Sequence, residues 1–127
     1  MSFKLIDIGS EEREFDVNIW KWKAALELIK RLDILSDIKV RQMSQNATGV
    51  KVDVEEAHLI GKTISETVIP DLGPGRRIFA NGTVTDQPDD GTYYRNSAEQ
   101  WKNYSVSTEW LRDFADFCLS SKGFRIF

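Results

Sequence analysis

Apolar side chains return at helical spacing in three separate stretches of this sequence, and that pattern constrains the fold more than any other feature. In residues 19–32, steps of about 100° per residue gather Ile19, Trp22, Ala25, Leu26, Leu28, Ile29 and Leu32 on one broad face. Lys23, Glu27, Lys30 and Arg31 hold the opposite face. Asn18 stands at the N-cap position, and Val17 with Trp22 has the spacing of a hydrophobic staple. From Val54 to Val68 the apolar stripe is Val54, Ala57, Ile60, Gly61, Ile64 and Val68, preceded by a capping box in which Asp53 answers Glu56. Pro70 is expected to stop this helix, because a residue before proline is pushed out of the α region. The third stripe is Trp110, Leu111, Phe114, Phe117 and Cys118, capped by Ser107, with Gly123 placed to end it in a left-handed conformation. Principal helices are therefore predicted over residues 19–33, 54–68 and 108–121.

Between the helices the period changes. Residues 3–8 alternate as an edge strand does and run into a turn rich in acids at Glu11, Glu12, Glu14 and Asp16. Ile38, Val40 and Gln42 alternate, and Val50, Val52 and Val54 alternate again, which fits either a hairpin or a loop with one short strand. Arg76–Ala80, then Asn81-Gly82, then Thr83–Asp86 carries the signature of a type I′ hairpin. Ser97 and Gln100 offer a further capping box before a short helix through Trp101.

At 127 residues the chain is just under the length of one average domain of about 150, so residues 1–127 are read as a single domain. No apolar run exceeds three residues, which excludes a transmembrane helix, and the first residues lack the apolar core of a secretion signal. Cys118 is the only cysteine and cannot form an internal disulfide, so a reducing, cytoplasmic setting is expected. Seventeen Lys and Arg against twenty Asp and Glu give a net charge of −3 with no basic or acidic tail. Nucleic acid and membrane surfaces need clustered positive charge, and neither is expected as a partner.

The residues that usually carry chemistry are sparse. One His and one Cys cannot make a zinc site, and the Glu55–His58 pair has no second Glu-x-x-His to complete a di-iron centre. Placing Gly91 at the sixth position of a calcium loop puts Pro88 and Ser97 where acids are required, so Asp86, Asp89 and Asp90 read as an acidic turn. No Gly-x-Ser-x-Gly elbow occurs, and Cys118 falls inside an apolar stripe where a thiol behaves as a small hydrophobe. In Gly73-Pro74-Gly75-Arg76-Arg77 the proline lacks an amide donor and a strand follows, unlike a phosphate-cradling loop. No catalytic residue, metal or cofactor is assigned.

Four aromatic residues are singled out as candidate binding residues: Trp20, Tyr93, Tyr94 and Trp101. Trp20 falls on the polar face of the first helix while Trp22 points inward. It is either covered by the strand of residues 3–8 or exposed as a partner anchor, since Trp and Tyr dominate interface hot spots.

Three patches together resemble a known group. They are Phe15-x-x-Asn18-x-Trp20-x-Trp22; Asn46-x-x-Gly49-x-x-Val52 before an acid-capped helix; and Leu111-x-x-Phe114-x-x-Phe117-Cys118 followed by Gly123-Phe124-Arg125-Ile126. The chain is similar to a widespread group of small uncharacterised bacterial proteins with an Asn-x-Trp-x-Trp start and a Phe-Cys…Gly-Phe end. The resemblance covers about half the chain, omits residues 70–105 and carries no known activity. It implies a bacterial source, a stand-alone domain and a structural role for Asn18, Trp20 and Trp22.

The expectation is a mainly helical α+β domain, three principal helices with short strands or a hairpin along one side. Its expected function is non-catalytic binding of another protein, as an immunity-like neutraliser of a toxin or as an accessory factor. The alternative is an enzyme or sensor that holds a small molecule in an aromatic pocket floored by Tyr93, Tyr94 and Trp101.

Overall fold

The computed structural model describes residues 2–45, 49–87 and 98–127. These residues form an α+β, mainly helical fold with two antiparallel sheets. The larger sheet has the order β2-β1-β7-β3, built from β1 (Ser2–Asp7), β2 (Glu14–Asn18), β3 (Val50–Val52) and β7 (Phe124–Ile126). The smaller has the order β5-β4-β6, from β4 (Arg77–Phe79), β5 (Val84–Thr85) and β6 (Ser105–Ser107).

The three long helices lie where the apolar stripes place them: α1 (Ile19–Leu32), α3 (Val54–Thr63) and α5 (Thr108–Ser120). Asn18 caps α1 by accepting the Lys21 N–H at 2.9 Å, and Ser107 caps α5 by accepting the Trp110 N–H at 3.0 Å. Both halves of the capping box between Asp53 and Glu56 are present at the start of α3. Phe3, Leu5, Val52, Phe124 and Ile126 from one sheet face meet Trp22, Ile29, Ile60, Leu111 and Phe114 from the helices in one buried cluster. Its aromatic centre runs from Trp22, 6.2 Å from Phe3 and 5.8 Å from Phe114, to Phe15, which contacts Trp110, Phe114 and Phe117.

Four local expectations are corrected. First, β1 is not an edge strand. It lies between β2 and β7, because the acidic stretch after it also pairs: Phe15 and Val17 turn inward while Glu14 and Asp16 face solvent. Charge on the outer face of an edge strand blunts further pairing. Second, Ile38, Val40 and Gln42 lie on a helix, α2 (Asp37–Met43), capped by Ser36, which buries Val40 and Met43 at a spacing of three and leaves Ile38 exposed. Third, Pro70 does not end the second principal helix. A π-helical turn at Ile64–Val68 follows α3, with the Ile69 N–H donating to the Ile64 carbonyl, and helical backbone continues through α4 (Ile69–Leu72). Pro70 follows the π-helical turn in this continuous helical backbone, and the wider turn accommodates a residue that cannot donate a backbone hydrogen bond. Fourth, the hairpin of β4 and β5 is not type I′. The Phe79 N–H bonds the Thr83 carbonyl and the Gly82 N–H bonds the Phe79 carbonyl, leaving a three-residue loop in which Gly82, not Asn81, takes positive φ, at 91°. That is the geometry of a three-residue hairpin with a left-handed glycine.

The short helix expected through Trp101 is a 3₁₀ turn at Gln100–Asn103, and Ser97 lies outside the described residues. Gly123 is left-handed as expected, yet α5 has already ended at Ser120, and the glycine turns the chain into β7 instead. No helix among the described residues is long and apolar enough to cross a membrane.

Candidate functional site

Helix α1 is used on two sides. Trp22 points into the core, wholly buried, and its Nε1–H donates to the Met43 carbonyl at 2.9 Å, tying α1 to the end of α2. Helix α1 lies against β6, and its charged side borders the β4–β5 hairpin at Ala80 while Lys23, Lys30 and Arg31 stay exposed. There the half-buried Trp20 ring packs on Tyr104, with centroids 5.0 Å apart, and the Lys23 Nζ lies 4.7 Å from the centre of the Tyr104 ring. Farther along, the Arg31 guanidinium donates to the Ala80 carbonyl at 2.6 Å. Burial lowers the pKa of that guanidinium from its ordinary value, opposed by the charge of Glu27. The neighbour found for Trp20 thus comes from the C-terminal third of the chain, whereas Phe3 of the N-terminal strand lies on Trp22.

Trp101 belongs to the same region. Its ring meets Phe79 edge-on at 5.3 Å, and the Lys102 Nζ sits 5.4 Å from its centre. Lys23, Glu27, Ala80, Asn81, Trp101 and Tyr104 line a shallow depression of about 290 Å³. Lys23 and Glu27 also border a groove of about 390 Å³ between α1 and α2, rimmed by Lys30, Asp37 and Arg41. The site is therefore a strip across α1, with half-buried aromatic rings on one side, cations along it and an open groove on the other.

Of the four candidate binding residues, Trp20 and Trp101 fall beside this strip, and Tyr93 and Tyr94 lie outside the described residues. Tyr104, which the sequence does not single out, connects them: it stacks on Trp20, lies under Lys23 and lines the depression with Trp101. The remaining chemical candidates sit elsewhere. Glu55 and His58 are both exposed on α3, and no cluster of His, Cys, Asp or Glu among the described residues is placed to hold a metal ion. Cys118 is fully buried, and burial pushes its thiol pKa far up. The strip thus combines aromatic faces held by packing with exposed charged side chains around them.

The chain matches no family model, no curated protein and no solved structure.

Proposed function

We propose that this protein is a non-catalytic binding domain that recognises another protein through the strip formed by Trp20, Lys23, Trp101 and Tyr104. The observation that carries this reading is the Trp20–Tyr104 stack beneath Lys23, a half-buried aromatic pair held on a long helix and a sheet edge. Tryptophan and tyrosine contribute most per residue at protein interfaces, and rings already fixed by packing lose little freedom on binding. The resemblance to small bacterial proteins extends the proposal to a cytoplasmic bacterial protein that neutralises a toxin or assists a larger assembly.

Affinity capture from the source cell's lysate, repeated with Trp20→Ala and Lys23→Glu, tests the reading. One protein recovered in near-equal amount with the wild type, and lost with both variants, is the expected result. The recovered protein is then purified and its affinity for the two variants measured, with at least a tenfold loss expected for each. Capture that neither substitution weakens would remove the strip from consideration. A second reading draws on the depression beside Trp101: a small molecule retained by the wild type and lost with Trp101→Ala would favour a ligand-binding sensor or enzyme instead.

A further inference from the structure

The larger sheet is covered by helices on one face, and its other face carries an ordered charge pattern. Alternation along β1 sends Phe3, Leu5 and Asp7 inward and Lys4 and Ile6 outward. The register then places Glu14, Ile6, Arg125 and Lys51 side by side in one row across β2, β1, β7 and β3. The row reads acid, apolar, base, base. In the next row Asp16 stands opposite Lys4, whose Nζ lies 3.5 Å from Glu14 Oε1, and Lys4 exchanges two backbone hydrogen bonds with Phe127, each of 2.8 Å. The β2 edge is acidic, the β7–β3 edge is basic, and between them Ile6, Ile8 and Phe127 border an open depression of about 490 Å³. Ile8 and Phe127 are 42% and 43% exposed.

We infer that this face associates with a second copy of the same chain. A two-fold axis parallel to the strands, running between β1 and β7, lays β2 of one copy over β3 of the other. Glu14 then faces the opposite copy's Lys51, and nearer the axis Ile6 faces the aliphatic stem of the opposite copy's Arg125, each twice in the dimer. A two-fold axis across the strands sets acid on acid, so the charge order selects the first arrangement. Matched charge of this kind fixes register and orientation more than it adds affinity. The four strands are three to six residues long; at about 4.8 Å between strands and about 3.3 Å per residue they present roughly 270 Å² per copy. That is about a third of the roughly 800 Å² per partner in a standard stable interface, so the dimer is weak and salt-sensitive.

Sedimentation equilibrium of the full chain from about 10 μM to about 1 mM in about 20 mM salt tests the inference across the range in which a weak dimer becomes populated. A monomer–dimer equilibrium is expected, weakened at least fivefold by Glu14→Lys and by Lys51→Glu, and restored by the double reversal. Both side chains are exposed, and thermal melts check that the variants fold; if either reversal fails to fold, Glu14→Gln and Lys51→Gln serve in its place, with a smaller weakening expected. A monomer at every concentration overturns the inference, as does a dimer that neither reversal weakens. A dimer abolished by Trp20→Ala also overturns it, because the contact then lies on the α1 strip.

Discussion

The Asp7 carboxylate accepts the backbone N–H of Lys122 at 3.1 Å, joining the first strand to the turn before the last one across 115 residues of sequence. The same oxygen accepts the Gly9 N–H at 2.8 Å, and Arg13 lies 3.7 Å from the other oxygen. Asp7 occupies an inward position of β1 and is only 4% exposed, so these partners are what make a carboxylate tolerable there. Asp7→Ala leaves two backbone donors unpaired and is expected to cost about 2–3 kcal/mol. Asp7→Asn keeps an acceptor and is expected to cost about half as much, mainly through the weaker bonds of a neutral group. Urea denaturation of the two variants checks the order.

Gly123 sets the sharpest steric limit in the fold. Its φ is +86°, and a Cβ there would lie 2.6 Å from the Val52 carbonyl oxygen, inside van der Waals contact. Gly75 has a similar φ of +73° with nothing within 4 Å of the added atom. Gly75→Ala is therefore expected to cost about 1–2 kcal/mol from backbone conformation alone. Gly123→Ala adds a clash with the backbone where β3 runs into α3 and is expected to cost at least about 3 kcal/mol. Equal losses in the two variants, read by thermal unfolding, would show that the turn relaxes freely.

The helices were legible because their signals are local. Stripe and cap lie within a few residues of each other at α1, α3 and α5, and the caps at Asn18, Asp53 and Ser107 form as their spacing implies. The larger sheet was not legible, because β1 finds β7 at the far end of the chain and no local pattern encodes that pairing. Strand β2 was hidden by its own acids, whose spacing of two is visible once Phe15 and Val17 are read as the inward set. In α2, Val40 and Met43 are the informative pair, but seven residues are too few to separate a period of two from one of 3.6. At the candidate site, Trp20 stood out as a tryptophan among charges and Trp101 as part of an aromatic cluster. Tyr104 gave no signal, because its importance comes from facing a helix more than seventy residues earlier in the chain.

Trp20 and Trp22 provide a matched pair of substitutions. Trp22 is wholly buried with its indole N–H bonded, and Trp22→Ala is expected to cost about 3–5 kcal/mol or to prevent folding. Trp20→Ala loses the packing on Tyr104 at a half-buried position, about 1 kcal/mol, and should lower Tm by roughly 3–5 °C. A fall for Trp20→Ala as large as for Trp22→Ala would make Trp20 a core residue and remove the main support for a binding role.

Cys118 sits on the buried stripe of α5, and burial keeps its thiol protonated well above neutral pH. The thiolate is the reactive form, so a thiol reagent at pH 8 is expected to modify the protein only as fast as it opens. Labelling in native buffer and in denaturing urea gives the comparison. Native labelling at the rate of the unfolded chain would mean that the packing between α3 and α5 opens readily.

Asp53 links stability to pH. Accepting the Glu56 backbone N–H holds its carboxyl below the usual aspartate value, with smaller help from the Lys39 charge. The folded state therefore takes up this proton less readily than the unfolded chain. The stabilisation is complete above the unfolded aspartate pKa of about 3.9 and is lost as pH falls through the lower folded value. Asp53→Asn keeps a side-chain oxygen at the N-cap without the charge, while every other carboxylate titrates as before. The Tm difference between wild type and Asp53→Asn is expected to hold steady from about pH 7 to pH 5 and to shrink toward zero by about pH 2. A difference that stays constant down to that pH would mean that the α3 cap works through hydrogen-bond geometry alone, with no contribution from the charge.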